Sequence, residues 1–406
     1  MDYTHFFQTA LDEIHQEGRY RYFADLERCV GKFPWALHRT ETLTQEVVVW
    51  CSNDYLGMGH HPYVISRMQE VLEKAGAGAG GTRNIGGTNH YHVLLEKELA
   101  AMHHKEAALL FTSGYVANEA TISTLAKRLP NCLIFSDELN HASMVHGIRA
   151  GKSDKVIFKH NNMKDLERLL QEADPYRPKI IVFESLYSME GDFAPISDIC
   201  DLAEKYHALT YIDEVHSIGV YGEHGAGKVE ELKEEKRISL LCSNFGKAVG
   251  VMGGYITGSQ ILVDFIRSFA PPFIFTTALP PAVTAGALAS IQHFSRISLE
   301  RNQLWEAVTK LKSLLYRAGF SFLDYGSHIV PLLVGDAKLC KDITDRLLYK
   351  HQIYVQPINY PTVPRGTERL RITPTPHHTD FLIEAFVDSL IEVWAHFGLY
   401  RKRASA

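Results

Sequence analysis

Short apolar runs that end in polar residues recur through the middle of this 406-residue chain. They are Ala107–Phe111 before Thr112-Ser113-Gly114, Leu133–Phe135 before Ser136-Asp137, Ile180–Phe183 before Glu184-Ser185, and Leu209–Ile212 before Asp213. Helix-length stretches such as Val116–Lys127 and Ala194–Tyr206 lie between them. This alternation predicts an α/β fold, a mostly parallel central sheet with helices on both faces. Ligands of such sheets bind at the carboxyl ends of the strands, which is where the polar residues fall. Residues 1–50 read as an N-terminal arm, with a polar helix around Phe7–Tyr22 and a strand near Val47–Trp50. Residues 51–290 read as a large domain and 291–406 as a small α+β C-terminal domain. A long helical pattern from Ala282 to Ala318 leads into the latter.

Composition narrows the class. The chain is 46% hydrophobic and 22% charged, ordinary for a soluble globular protein. Net charge is −5, and basic residues cluster only at Arg401-Lys402-Arg403, so nucleic acid is not an expected partner. The six cysteines are scattered without a Cys-x-x-Cys pair. That spacing predicts reduced thiols, a cytoplasmic setting and no metal site. The start, Met1-Asp2-Tyr3-Thr4-His5-Phe6, does not read as a signal or transit peptide, and no apolar run is long enough to span a membrane.

Two segments carry chemistry. Tyr211-Ile212-Asp213-Glu214-Val215-His216 ends a strand, and Ser243-Asn244-Phe245-Gly246-Lys247-Ala248 follows it. Pyridoxal phosphate (PLP) needs a lysine for its aldehyde and an acid for its ring nitrogen, and Lys247 and Asp213 supply that pair. His216 can reach the phenolic oxygen, and His141, in Asn140-His141-Ala142-Ser143, can stack on the ring. Ser113-Gly114-Tyr115 opens a helix, whose free N–H groups suit a phosphate. The run Gly76–Thr88 follows a helix pattern, not a strand, so it is no dinucleotide fingerprint but a loop that presses on a ligand. Gly222–Lys228 has P-loop spacing, but Val229 stands where Ser or Thr is required, so the match is coincidental. Arg371 sits in an apparent strand where it can fork onto a carboxylate, whereas Arg369 reads as a surface salt-bridge residue.

Taken together, these residues resemble the α-oxoamine synthase family, PLP enzymes of the aminotransferase-like fold type I. The similarity runs from Glu17-Gly18-Arg19-Tyr20-Arg21 to Thr375-Pro376-His377-His378. Its motifs include Ser52–Gly57, Gly80-Gly81-Thr82-Arg83-Asn84, Asn140–Ser143, Asp213–His216 and Val355–Gly366. The resemblance implies a catalytic set of Lys247, His141 and Asp213, with Lys247 bound to the PLP aldehyde. It implies that Asp213 pairs with the ring nitrogen, His216 with the phenolic oxygen, and His141 with the ring face. Ser113, Gly114, Tyr115, Ser188 and Asn244 would complete the cofactor site, with Thr276 or Thr277 reaching in from the partner of a homodimer. Asn53 and Arg371 would hold the carboxylate of glycine. Arg21, Thr82 and Asn84 would hold that of succinyl-CoA, with Ser136 also on the substrate and Thr362 and Arg365 on a closing loop. The implied reaction joins glycine and succinyl-CoA to give 5-aminolevulinate, CoA and carbon dioxide. One departure is plain: the family's threonine three residues before the lysine is Asn244 here, with Ser243 beside it as the other candidate for its contact.

Overall fold

The structure is a computed structural model that describes residues 1–399; the basic cluster at Arg401–Arg403 lies outside the described residues. The chain divides into two compact units. One comprises Leu56–Tyr187 and Phe193–Arg301; the other comprises Met1–Tyr55, Ser188–Asp192 and the chain from Asn302 onward.

The first unit is built on seven strands: β1 (Ala107–Phe111), β2 (Leu133–Asp137), β3 (Asp154–Phe158), β4 (Lys179–Glu184), β5 (Ala208–Asp213), β6 (Leu240–Asn244) and β7 (Gly254–Gly258). Their spatial order is β1-β7-β6-β5-β4-β2-β3. Only β7 runs against its neighbours, pairing antiparallel with both β1 and β6. Strands β2, β4 and β5 expose almost no side chain, as expected when helices cover both faces. Two helices position the polar strand ends: α1 (Gly114–Arg128) and α2 (Ala142–Gly151). Gly147 and Gly151, one turn apart, let α2 lie directly on α1. A Cβ on Gly151 would stand 2.3 Å from that of Ala126, and one on Gly147 would stand 3.1 Å from the Asn118 carbonyl oxygen. Their apolar faces join Ile134, Ile180, Val182, Tyr211, Cys242 and Ile256 in one buried core.

In the second unit the strands Asp25–Arg28, Trp35–Arg39 and Thr44–Val49 form an antiparallel meander. Ile353–Tyr354 joins its edge parallel to Thr44–Val49. Arg369–Ile372 is the centre of a second sheet, between Val330–Leu333 and Pro357–Ile358. The core of this unit stacks Trp50 on Phe386 at 4.1 Å between ring centroids.

Three sequence expectations need correction. The first helix spans Tyr3–Gln16, not Phe7–Tyr22. Asp2 caps its start by accepting from the His5 N–H, and Gly18 at φ 67° ends it. The Ala282–Ala318 pattern is two helices, Pro281–Phe294 and Leu299–Arg317, broken where the chain turns through Ser295–Ser298. Arg369 is not a surface residue: it is buried, donating to the carbonyls of Thr367 and Met189, with Glu190 at 3.6 Å.

Candidate active site

The strand ends of the first unit bring the chemistry together. Asp213 closes β5 and is 4% exposed. Its Oδ1 accepts from the Val215 N–H at 2.9 Å and its Oδ2 from the Asn118 amide at 2.7 Å. His141 is the N-cap of α2; its Nδ1 accepts from the Ser143 N–H. Burial holds the His141 imidazole below its ordinary pKa, and the positive charge of Lys247 adds to this while Asp213 opposes it. Lys247 is half-buried, and its charge also acts on Glu184 and Cys242. Asp213, His141 and Lys247 therefore form one electrostatic cluster. His216 is buried in the loop after β5.

Glu184 adds a second buried carboxylate that sequence reasoning gave no role. It closes β4 in register with Asp213 and accepts from the His141 N–H at 2.6 Å. Burial, with Asp213 next, pushes its pKa well up. Glu214 has a different task. Its carboxylate accepts from the N–H groups of Lys228 and Val229 and from the Ser185 hydroxyl. Within the apparent P-loop, the Lys228 N–H is thus taken by a protein carboxylate.

The start of α1 is the natural place for a phosphate. Ser113 is its N-cap, accepting from the Val116 N–H at 3.1 Å, with Gly114 next. A Cβ on Gly254 would lie 2.4 Å from the Gly114 nitrogen, and one on Gly114 would lie 2.8 Å from the Asn244 Cβ and 3.2 Å from its Nδ2. Asn244 therefore packs against this helix start. Its Oδ1 is occupied by the Gly246 N–H at 3.1 Å, which leaves the amide NH2 as the donor. Ser243 projects from the other face of β6 and pairs with Tyr255 across the sheet. Of the two candidates for the missing threonine's contact, only Asn244 is on the α1 side. Tyr115 is 44% exposed, with its hydroxyl 3.2 Å from His146 Nδ1. Thr277 bridges to Thr82, and the Ala278 N–H donates to the Gly81 carbonyl.

The remaining expected residues divide between the two units. Within the glycine-rich run, Arg83–Gly87 forms a π-type turn. Thr82 Oγ1 donates to Asn84 Oδ1 at 2.6 Å, and Arg83 forks onto Glu96. Ser136 is buried, accepting from the Asn140 amide. In the second unit Arg371 is 6% exposed. It donates to the Ser188 carbonyl, to Asn53 Oδ1 at 2.9 Å and to the Tyr55 hydroxyl at 2.9 Å. The Tyr55 hydroxyl in turn donates to Asn53 Oδ1 at 3.2 Å, so that oxygen is held twice. Arg21 is exposed and reaches Thr362 Oγ1 at 3.4 Å; Arg365 pairs with Glu17 at 2.8 Å.

A further cluster, His61, His293 and Glu300, has the composition of a metal site. His61 Nδ1 accepts from the Tyr63 N–H, which places its proton on Nε2, facing Glu300. A nitrogen that carries a proton is not a ligand, so His61 as placed does not suit a metal, and His293 Nε2 lies at hydrogen-bond distance from Glu300 Oε1, 3.0 Å.

The site fits PLP on its own chemistry: a buried acid at a strand end, an imidazole held neutral, a lysine in their field, and an anion-ready helix start with an amide donor against it. The comparisons agree. Residues 45–390 match the family of aminotransferases of class I and II. The chain is 58% identical to the 5-aminolevulinate synthase of Rhizobium meliloti over 99% of both chains. It is 53% identical to that of Bradyrhizobium diazoefficiens over 100% of this chain and 99% of the relative. Among solved structures it is similar to a serine palmitoyltransferase variant from S. paucimobilis with a bound PLP–myriocin aldimine. That match has a TM-score of 0.91 and 30% identity, over 98% of this chain and 100% of the other. Fold and site define a PLP-dependent enzyme of fold type I. Within that class the chain belongs to the 5-aminolevulinate synthases.

Proposed function

We propose that this chain condenses glycine with succinyl-CoA to give 5-aminolevulinate, CoA and carbon dioxide, either as the first step of tetrapyrrole (heme) biosynthesis or to supply a specialised pathway. The observation that carries the reading is the cluster of Asp213, His141 and Lys247 at the strand ends. PLP supplies an aldehyde that binds amines and a protonated ring that takes up carbanion charge. Lys247 Nζ would hold that aldehyde and, when free of it, would be the amine that removes the α-proton of glycine. Asp213 would face the ring nitrogen, where its carboxylate would keep the proton in place. His216 meets the phenolic oxygen. His141 would lie against the ring, and because burial lowers its pKa it would set no second positive charge beside the protonated nitrogen. Ser113, Gly114, Tyr115 and Asn244 would hold the phosphate, with Thr276 or Thr277 of a partner subunit, and Ser188 would complete the cofactor set.

Asn53 and Arg371 bind the glycine carboxylate. Arg371 suits this because three protein oxygens already fix its guanidinium plane, so little freedom is lost on binding. Arg21, Thr82 and Asn84 bind the distal carboxylate of the succinyl group, with Ser136 on the substrate and Thr362 and Arg365 on the loop that closes over it. The new bond would join the glycine α-carbon to the succinyl carbonyl carbon, with CoA as the leaving group and the glycine carboxyl lost as carbon dioxide. A homodimer with sites at its interface, in the cytoplasm, completes the reading; among the described residues no helix is long and apolar enough to cross a membrane.

The test is incubation of the purified protein with PLP, glycine and a panel of acyl-CoAs. The expected result is 5-aminolevulinate from succinyl-CoA in preference to any ketone from acetyl-, butyryl- or palmitoyl-CoA. A preference for one of the other donors would overturn the assignment.

A further inference from the structure

Beneath the proposed cofactor face runs a series of buried hydrogen bonds in which every proton can be assigned. Tyr211 Oη donates to Asn118 Oδ1 at 2.8 Å. Asn118 Nδ2 donates to Asp213 Oδ2 at 2.7 Å and to Ser143 Oγ at 3.0 Å. Ser143 Oγ lies 2.7 Å from His141 Nδ1. Asn118 and Tyr211 are each 1% exposed and Ser143 is fully buried, so water replaces none of these partners.

The direction of donation follows from the chemistry. The Asp213 carboxylate only accepts, so the Asn118 amide turns its NH2 to it, and Oδ1 is left to accept the Tyr211 hydroxyl proton. Reversed, the amide would set its oxygen against a carboxylate oxygen. The Ser143 hydroxyl accepts from Asn118 and has a single proton, which goes to His141 Nδ1. That nitrogen also accepts from the Ser143 N–H, so His141 carries its proton on Nε2. Asp213 keeps acceptor capacity for a further donor, because each oxygen has two lone pairs and one protein donor is assigned to each.

We propose that Asn118 and Tyr211 are positioning residues of the reaction: through one buried run of hydrogen bonds they fix both the carboxylate opposite the cofactor's ring nitrogen and the imidazole against its face. The inference rests on the roles proposed for Asp213 and His141. It adds that two residues that touch neither substrate nor cofactor control how those two are presented. The packing explains how this is reached. Asn118 lies on the face of α1 that Gly147 lets α2 approach, so the amide spans from β5 to the start of α2.

The experiment compares the parent enzyme with Asn118→Ala, the isosteric Asn118→Asp, Tyr211→Phe and Asp213→Ala. It measures kcat, glycine KM, the PLP dissociation constant and the ring-nitrogen NMR resonance of bound [15N]PLP. Losing a hydrogen bond to a charged group predicts that Asn118→Ala lowers kcat about tenfold or more with glycine KM little changed, and weakens PLP binding by a similar factor. Its ring resonance moves toward that of unprotonated pyridine. Asn118→Asp, which sets carboxylate against carboxylate, loses more. Tyr211→Phe moves the same quantities less and keeps the side-chain shape, so it carries the test if Asn118→Ala fails to fold. Parental kcat and ring resonance in both folded Asn118→Ala and Tyr211→Phe would overturn the inference. A parental ring resonance in Asp213→Ala would instead overturn the pairing of Asp213 with the ring, so the two failures are distinguishable.

Discussion

Asp213 and Arg21 are both charged residues assigned to hold a ligand, and the molecule treats them in opposite ways. Asp213 is 4% exposed, with a protein donor on each oxygen and a second layer, Asn118, Ser143 and Tyr211, behind it. Arg21 is exposed, and its hydrogen bond to exposed Thr362 is 3.4 Å long. Thr82 and Asn84 resemble Arg21: they hydrogen-bond each other at a partly open surface. Arg371 resembles Asp213: it is buried and fixed by the Ser188 carbonyl, Asn53 and Tyr55. Asp213 and Arg371 are thus held in place by the chain, whereas Arg21, Thr82 and Asn84 lie at a more open surface with fewer partners. A preorganised group acts without reorganising at the moment of reaction. A loosely held group instead spends binding energy on its own ordering, which ties closure to the correct substrate.

The largest effect expected from this contrast is at Lys247. Lys247→Ala removes both the anchor of the aldehyde and the base, so turnover falls on the order of a thousandfold or more. Normal activity at saturating PLP would break the fixed side of the comparison at its centre. Gly114→Ala comes next. Its Cβ would stand 2.8 Å from the Asn244 Cβ, so Asn244 must shift and PLP binds about tenfold more weakly, as measured by fluorescence titration. Unchanged affinity would show that the tight approach at the α1 start serves packing alone.

On the loosely held side, Thr82→Ser with Asn84→Ala is expected to lose about tenfold more activity with succinyl-CoA than with butyryl-CoA. The reason is that the polar groups pair only with a donor that carries a carboxylate. Equal loss with both donors would remove these residues from donor selection. The smallest effect is expected at Asn244, whose amide is already a donor on the α1 side. Asn244→Thr is expected to change the PLP dissociation constant by less than about tenfold. Ser243→Ala, on the opposite face of β6, is expected to leave it unchanged. Tenfold tighter binding in Asn244→Thr would mean that the native contact is lost.

The same contrast explains what the sequence could convey. Residues at strand ends announce themselves, because an apolar run that stops at Asp213 or Ser113 marks both the element and its ligand-facing edge. Asn118 and Ser143 gave no such signal. A polar residue inside a helix reads as exposed, and only the α1–α2 contact through Gly147 shows that Asn118 faces inward. Its spacing from Thr121 and Thr124, both buried on the same helix, was the available hint. Arg369 is hard to read for a related reason: it shares a strand face with Arg371, and its burial depends on carbonyls of Met189 and Thr367 that no local pattern reveals. The break at Ser295–Ser298 was hidden because no glycine or proline marks it.

The most direct test of the central contrast is the PLP dissociation constant measured side by side for Asp213→Ala and Arg21→Ala. Asp213→Ala is predicted to weaken PLP binding by about tenfold or more, whereas Arg21→Ala binds PLP like the parent. Parental affinity in Asp213→Ala, or an equal loss in both variants, would contradict the division between a fixed cofactor side and a loosely held donor side.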